Sequence, residues 1–169
     1  MSDDADLERK AHDAWESGRR TAAFRLYSQL AIRGSGAGEL NLGYCYDCGI
    51  GVRKNRALAL KWYRRAYRRG SGAAASNIAT IYRDEGKHRL EAQWYVRAVR
   101  LKDGDAAVEL AKLVLAGRGI RQSRSHASRL LKRATGSRFI TENGRDEART
   151  MLHALKGRPN KSFERTREG

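Results

Sequence analysis

"LNLGYCYDCGIGVRKNRALALKWYRRAYRRG", residues 40–70, admits three readings. Cys45 and Cys48 stand three apart, as a metal or redox pair would. Gly49 and Gly51 resemble a glycine loop that cradles phosphate. The third reading is plainer: one helix, a glycine-punctuated turn and a second helix. Comparison with the rest of the chain decides among them.

The stretch recurs. "WYRRAYRRG" at Trp62 returns as "WYVRAVRLK" at Trp94, with weaker copies in "LYSQLAIRG" at Leu26 and "LLKRATGS" at Leu130. These anchors stand 36, 32 and 36 residues apart, and Leu30, Ala66, Ala98 and Ala134 repeat the same spacings. Upstream of the last three copies lies a second helical pattern in which Leu42 aligns with Ile78 and Leu110, and Tyr46 with Tyr82. Each unit is therefore helix, turn, helix. Apolar or small residues recur at helical spacing, as in Ala59, Trp62, Tyr63 and Ala66, so each helix carries one stripe for burial. A lone hairpin cannot cover such a stripe, whereas stacked neighbours can. The expected fold is all-α: a curved, right-handed solenoid of hairpins.

The stretch resembles the Sel1-like repeat family, related to tetratricopeptide repeats. Its units read A, L-G, Y, G-x-G-V, then A-x-x-W-Y-x-x-A and a closing G. Leu42, Gly43, Tyr46, Gly49, Gly51, Val52, Ala59, Trp62, Tyr63, Ala66 and Gly70 carry nearly all of it. The last unit keeps Gly117, Gly119, Ala127 and Ala134 but has Leu130 and Leu131 in place of Trp-Tyr. The unit before it lacks G-x-G, and its loop at "KHRLEAQWY" is four residues shorter, which accounts for the spacing of 32. Units thus alternate short, long, short, long. They are expected at about 5–36, 37–70, 71–103 and 104–137, together spanning 5–137. Residues 138–157 are expected to form a capping helix opened by Thr141 or Asn143, with Ala148, Met151, Leu152 and Leu155 as its stripe. The charged tail 158–169 is expected to be disordered.

Composition agrees with helices: proline occurs once, at Pro159, and a chain of 169 residues is long enough for one domain with a real core. The N-terminus, "MSDDADLERK", has no apolar leader, and no apolar stretch of spanning length occurs, so a cytoplasmic chain with no membrane partner is expected. Two cysteines are too few for a disulfide framework.

Register answers the opening question. Cys45 takes the place of Ile81 and Leu113, and Cys48 that of Asp84 and Ala116, so one is read as a buried hydrophobe and the other as a thiol at a helix exit. A zinc site needs two more ligands, and His12, His88, His126 and His153 show no paired spacing. Gly49-Ile50-Gly51 and Gly117-Arg118-Gly119 follow helices, where a phosphate loop would follow a strand; they read as left-handed helix stops. No nucleophile–base order, H-E-x-x-H run or isolated acid pair is present. No catalysis, cofactor or metal is expected.

Function then rests on a surface and a field. The resemblance implies a non-catalytic scaffold that binds a protein or peptide partner on the concave wall of first helices. Positions between the core residues would line that wall: Asn41, Tyr44, Asp47, Asn77, Thr80, Arg83, Glu109 and Lys112. Thirty-five Lys and Arg against nineteen Asp and Glu give a net charge of +16, which favours anionic partners. The alternative is therefore a binder of nucleic acid or an acidic protein through Lys61, Arg64, Arg65, Arg68, Arg69, Arg129, Lys132 and Arg133 on the convex second helices.

Overall fold

The computed structural model describes residues 2–157; the tail at 158–169 lies outside the described residues. Among the described residues there are nine helices and no strand: α1 (Ser2–Glu16), α2 (Arg20–Ile32), α3 (Gly36–Cys48), α4 (Arg56–Arg68), α5 (Gly72–Asp84), α6 (His88–Arg100), α7 (Gly104–Ala116), α8 (Arg124–Thr135) and α9 (Glu142–Lys156). Each packs on its successor in the chain, and α9 lies on both α7 and α8. None is long and apolar enough to cross a membrane. The chain is an all-α solenoid of hairpins.

Local chemistry sets the boundaries. Ser35, Asn55, Ser71, Asp103, Ser123 and Thr141 each accept the backbone N–H three residues on, satisfying a donor that the first turn of a helix leaves free. Gly49 and Gly117 end α3 and α7 in the left-handed conformation, at φ 74° and 66°. α2 and α6 differ from these six helices: they open behind Arg19 and Lys87 with no side-chain cap.

Equivalent positions are buried alike. Leu30, Ala66, Ala98 and Ala134 are all within the core, as are Tyr27, Tyr63, Tyr95 and Leu131, and Leu42, Ile78 and Leu110. Alanine at the closest crossings lets neighbouring helices approach while larger side chains fill the space on either side. Trp62 and Trp94 are both half-buried against the core, and each is covered by the arginine three residues later, Arg65 at 4.8 Å and Arg97 at 4.6 Å from the ring centroid. The tryptophan register is thus a structural one. At the far end Ala148 is buried, and Met151, Leu152 and Leu155 pack against the core that α7 and α8 share.

The two glycines of each G-x-G divide the work. Gly49 and Gly117 stop a helix. Gly51 and Gly119, at φ 68° and 67°, bring the loop down onto the uncapped start of the preceding unit's second helix. A Cβ on Gly51 would lie 2.3 Å from the Arg20 carbonyl oxygen, and one on Gly119 2.1 Å from that of His88. The loop is closed behind them by backbone bonds from Asn55 N–H to Tyr46 at 2.8 Å and from Ser123 N–H to Val114 at 3.2 Å. Gly18 and Gly86, also left-handed, have open space where a Cβ would go. Gly51→Ala and Gly119→Ala should therefore each cost about 3 kcal/mol or more, against about 1 kcal/mol for Gly18→Ala or Gly86→Ala, where only backbone strain is added. Denaturant unfolding of the four variants measures the difference, and equal costs would refute the packing role.

Candidate functional site

The odd-numbered helices form one wall, and three of the residues expected to line it meet there. Arg83 of α5 lies 3.6 Å from the Glu109 carboxylate of α7. The Lys112 ammonium donates to Glu109 at 2.7 Å and reaches Glu147 of α9 at 2.8 Å. Burial pulls the Lys112 ammonium down, but the two carboxylates that accept from it outweigh burial and hold its pKa above the ordinary lysine value. A ladder of alternating charge therefore runs across α5, α7 and α9, each member partly exposed. The place of Glu147 in the ladder depends on α9 folding back onto α7.

The other wall residues are not joined to that ladder. Tyr44 is 40% exposed and packs on Trp15 of α1, ring centroids 6.0 Å apart. Asn41 and Asn77 are half-buried, and Thr80 turns its hydroxyl back onto the Ser76 carbonyl at 3.2 Å. Asp47 is half-buried beside the Arg56–Asp84 pair, whose atoms are 2.5 Å apart. Burial raises the Asp47 carboxyl above the usual carboxylate range, against the opposing pull of Arg56 and Lys54. Behind them Cys45 is fully buried, and burial pushes its thiol up to about 11; Cys48 is exposed, and both thiols are free. A thiol held that high is protonated at neutral pH and is a poor nucleophile or metal ligand. No group of His, Cys, Asp and Glu among the described residues is arranged to hold a metal.

The basic residues have been put to structural use in part. Arg65 and Arg69 donate to Glu39 at 2.9 and 3.0 Å, and Glu39 is wholly buried. Arg64 donates to the Tyr82 hydroxyl at 3.1 Å, and Arg133 to the Val99 carbonyl at 2.9 Å. Lys61, Arg68, Arg129 and Lys132 remain exposed and make no ion pair among the described residues. Half of the expected anion-binding set is thus engaged within the protein.

Glu39 itself went unread in the sequence, although a signal for it exists. It occupies the repeat position of Ala75 and Ala107, the leading alanine of the unit. Glu91, the other buried acid, likewise replaces the alanine seen at Ala23, Ala59 and Ala127; it faces His88 Nδ1 at 2.9 Å, and Arg118 of the following loop lies against the same imidazole. An acid at an alanine register position marks a buried charge that must find partners.

The Sel1 repeat family model matches residues 36–71 and 104–135. No curated protein matches the chain. Among solved structures, the chain is similar to c5321, a protective antigen present in uropathogenic Escherichia coli strains and displaying an SLR fold, at 27% identity and a TM-score of 0.66 over 79% of this chain and 28% of that one. It is also similar to a Sel1 repeat protein from Oxalobacter formigenes, at 21% identity and a TM-score of 0.74 over 89% of this chain and 62% of that one. In both cases the chain spans less than two thirds of its relative's length.

The buried carboxylate and the raised one predict opposite behaviour. Removing Glu39 frees two arginines that water can reach, so Glu39→Ala should cost about 1 kcal/mol or less; the double change Arg65→Met with Arg69→Met strands a buried anion and should cost about 3 kcal/mol by denaturant unfolding. Asp47 has its folded pKa raised, so it costs nothing at low pH, where both states are protonated, and weakens the fold as pH rises through the folded value. Asp47→Asn should raise the Tm at about pH 7, with the gain fading toward about pH 3.

Proposed function

We infer, from a chain that is a Sel1-repeat solenoid, that its work is to hold a protein or peptide partner as a non-catalytic scaffold in the cytoplasm. The observation that carries this reading is the ladder Arg83–Glu109–Lys112–Glu147 across α5, α7 and α9, with Tyr44 exposed separately on α3. Pairs as exposed as these add little to stability, about 0–1 kcal/mol each, so their continuity across three helices is poorly explained by folding alone. Their alternating sign suits an extended main chain with polar side groups, and Tyr44 supplies an aromatic anchor. Nothing in the arrangement pairs a nucleophile with a base, which supports a role in binding over one in chemistry. Free thiols at Cys45 and Cys48 fit a reducing compartment.

The polyanion reading is the weaker one because Arg65, Arg69 and Arg64, which cluster on one second helix, already donate to Glu39 and Tyr82. A continuous phosphate track needs such donors free.

Pull-down from native lysate by the intact chain should recover a partner that Tyr44→Ser combined with Lys112→Ser no longer recovers, while both chains keep the same helical circular dichroism. Undiminished recovery by the double variant would remove the wall from the proposal. Steep salt-dependent retention on a polyanion column, joined to selective oligonucleotide binding, would favour nucleic acid instead.

A further inference from the structure

Three connecting turns lie along one edge of the solenoid: 69–71 between α4 and α5, 101–103 between α6 and α7, and 136–141 between α8 and α9. The second and third are tied together by main-chain and side-chain bonds. Gly104 N–H donates to the Phe139 carbonyl at 2.7 Å, the Ser137 hydroxyl donates to the Lys102 carbonyl at 3.0 Å, and Asp105 accepts from both the N–H and the hydroxyl of Thr141. The edge is therefore a built surface.

Two open clefts meet on this edge, of about 530 and 420 Å³, within the range of ligand sites. Phe139, 55% exposed, belongs to both. Lys102, Arg133 and Arg138 line the larger one; its single carboxylate, Asp103, already accepts from Ser76 and from the Ala106 N–H. The smaller cleft is floored by Gly70, Gly72, Ala73 and Leu101; its two carboxylates, Asp103 and Asp105, both already accept hydrogen bonds within the protein.

Lys102 adds a second, independent observation. It is the only non-glycine residue among those described with positive φ, at 67°, and it stands at the repeat position occupied by Gly34 and Gly70, whose φ values are 86° and 91°. Lysine is strained in that conformation where glycine would not be. What the lysine brings in exchange is a third basic residue in the lining of a cleft that Arg133 and Arg138 also line.

We propose that this edge is a docking site for an acidic peptide segment, its carboxylate held by Lys102, Arg133 and Arg138 and a neighbouring apolar side chain laid on Phe139 in the adjoining cleft. The proposal rests on the scaffold reading only in taking a peptide as the ligand; the site is separate from the odd-helix wall. A nucleic-acid strand suits it less well. Its successive phosphates would lie along both clefts, past Asp103 and Asp105, whereas one carboxylate with an apolar neighbour puts its charge only in the larger cleft, where three cations face the single acid Asp103.

The test uses fluorescence anisotropy at low salt with a dye-labelled decapeptide that carries one glutamate beside a leucine in an otherwise uncharged sequence, and the same peptide with glutamine in place of that glutamate. Intact protein should bind the first and not the second. Lys102→Gly combined with Arg138→Ser should weaken binding about five- to tenfold, with thermal stability kept or raised because glycine relieves the strained turn. Tyr44→Ser should leave the affinity unchanged. Serine in place of the peptide's leucine should weaken binding to intact protein but not to Phe139→Ser. Equal binding by the cleft variant, equal binding of the glutamine peptide, or no binding of either peptide would overturn the proposal. A labelled single-stranded oligonucleotide that binds instead, and is lost with the same cleft variant, would overturn it in favour of nucleic acid. Loss of the lysate partner in the Tyr44 and Lys112 variant tests the wall alone, so each site can fail without the other.

Discussion

Every hairpin here has an apolar stripe it cannot cover by itself, and the fold follows from that deficit. Alanines such as Ala59, Ala75, Ala98, Ala111 and Ala134 are fully buried where helices cross. Their small side chains let the backbones approach, so that a Tyr63, an Ile78 or a Leu131 finds a complete set of neighbours. Burial is consequently shared between adjacent units, and the core is a chain of overlapping clusters with Trp62 and Trp94 half-buried against it.

Charge is fitted around this core in two different ways. Where an acid replaces a core alanine, as at Glu39, the neighbouring second helix supplies arginines that reach inward from the surface, leaving the basic face less free than its composition suggests. Where charges lie on the first helices, as in Arg83, Glu109 and Lys112, they pair laterally along the wall and stay open to solvent. The first arrangement satisfies a buried charge that would oppose folding if left alone. The second leaves a surface that can exchange partners at little cost to stability.

Much of the architecture was readable because a repeat reports its own register. The equivalence of Trp62 and Trp94, the helix stops at Gly49 and Gly117 and the cap at Thr141 all depend on local spacing, which a sequence displays directly. Glu39 was hidden for a different reason: an acid on an amphipathic helix reads as solvated, and its partners lie 26 and 30 residues away. The ladder was half visible. Arg83, Glu109 and Lys112 fall on one face by periodicity, but Glu147 joins them only through the packing of α9 on α7. Gly51 and Gly119 were read as parts of a helix stop, because the carbonyls they press upon belong to the preceding unit.

That last contact makes the solenoid directional. The short hairpins begin their second helices without a side-chain cap, and the glycine loop of the hairpin that follows packs over each start; the two loops stand 68 residues apart. An array extended by a lone short hairpin would expose an unfinished helix start, and one extended by a lone long hairpin would lay its loop against an opening already occupied by a side-chain cap. Gene duplication or protein engineering should therefore lengthen this scaffold in couples, with 68 residues as the quantum of growth.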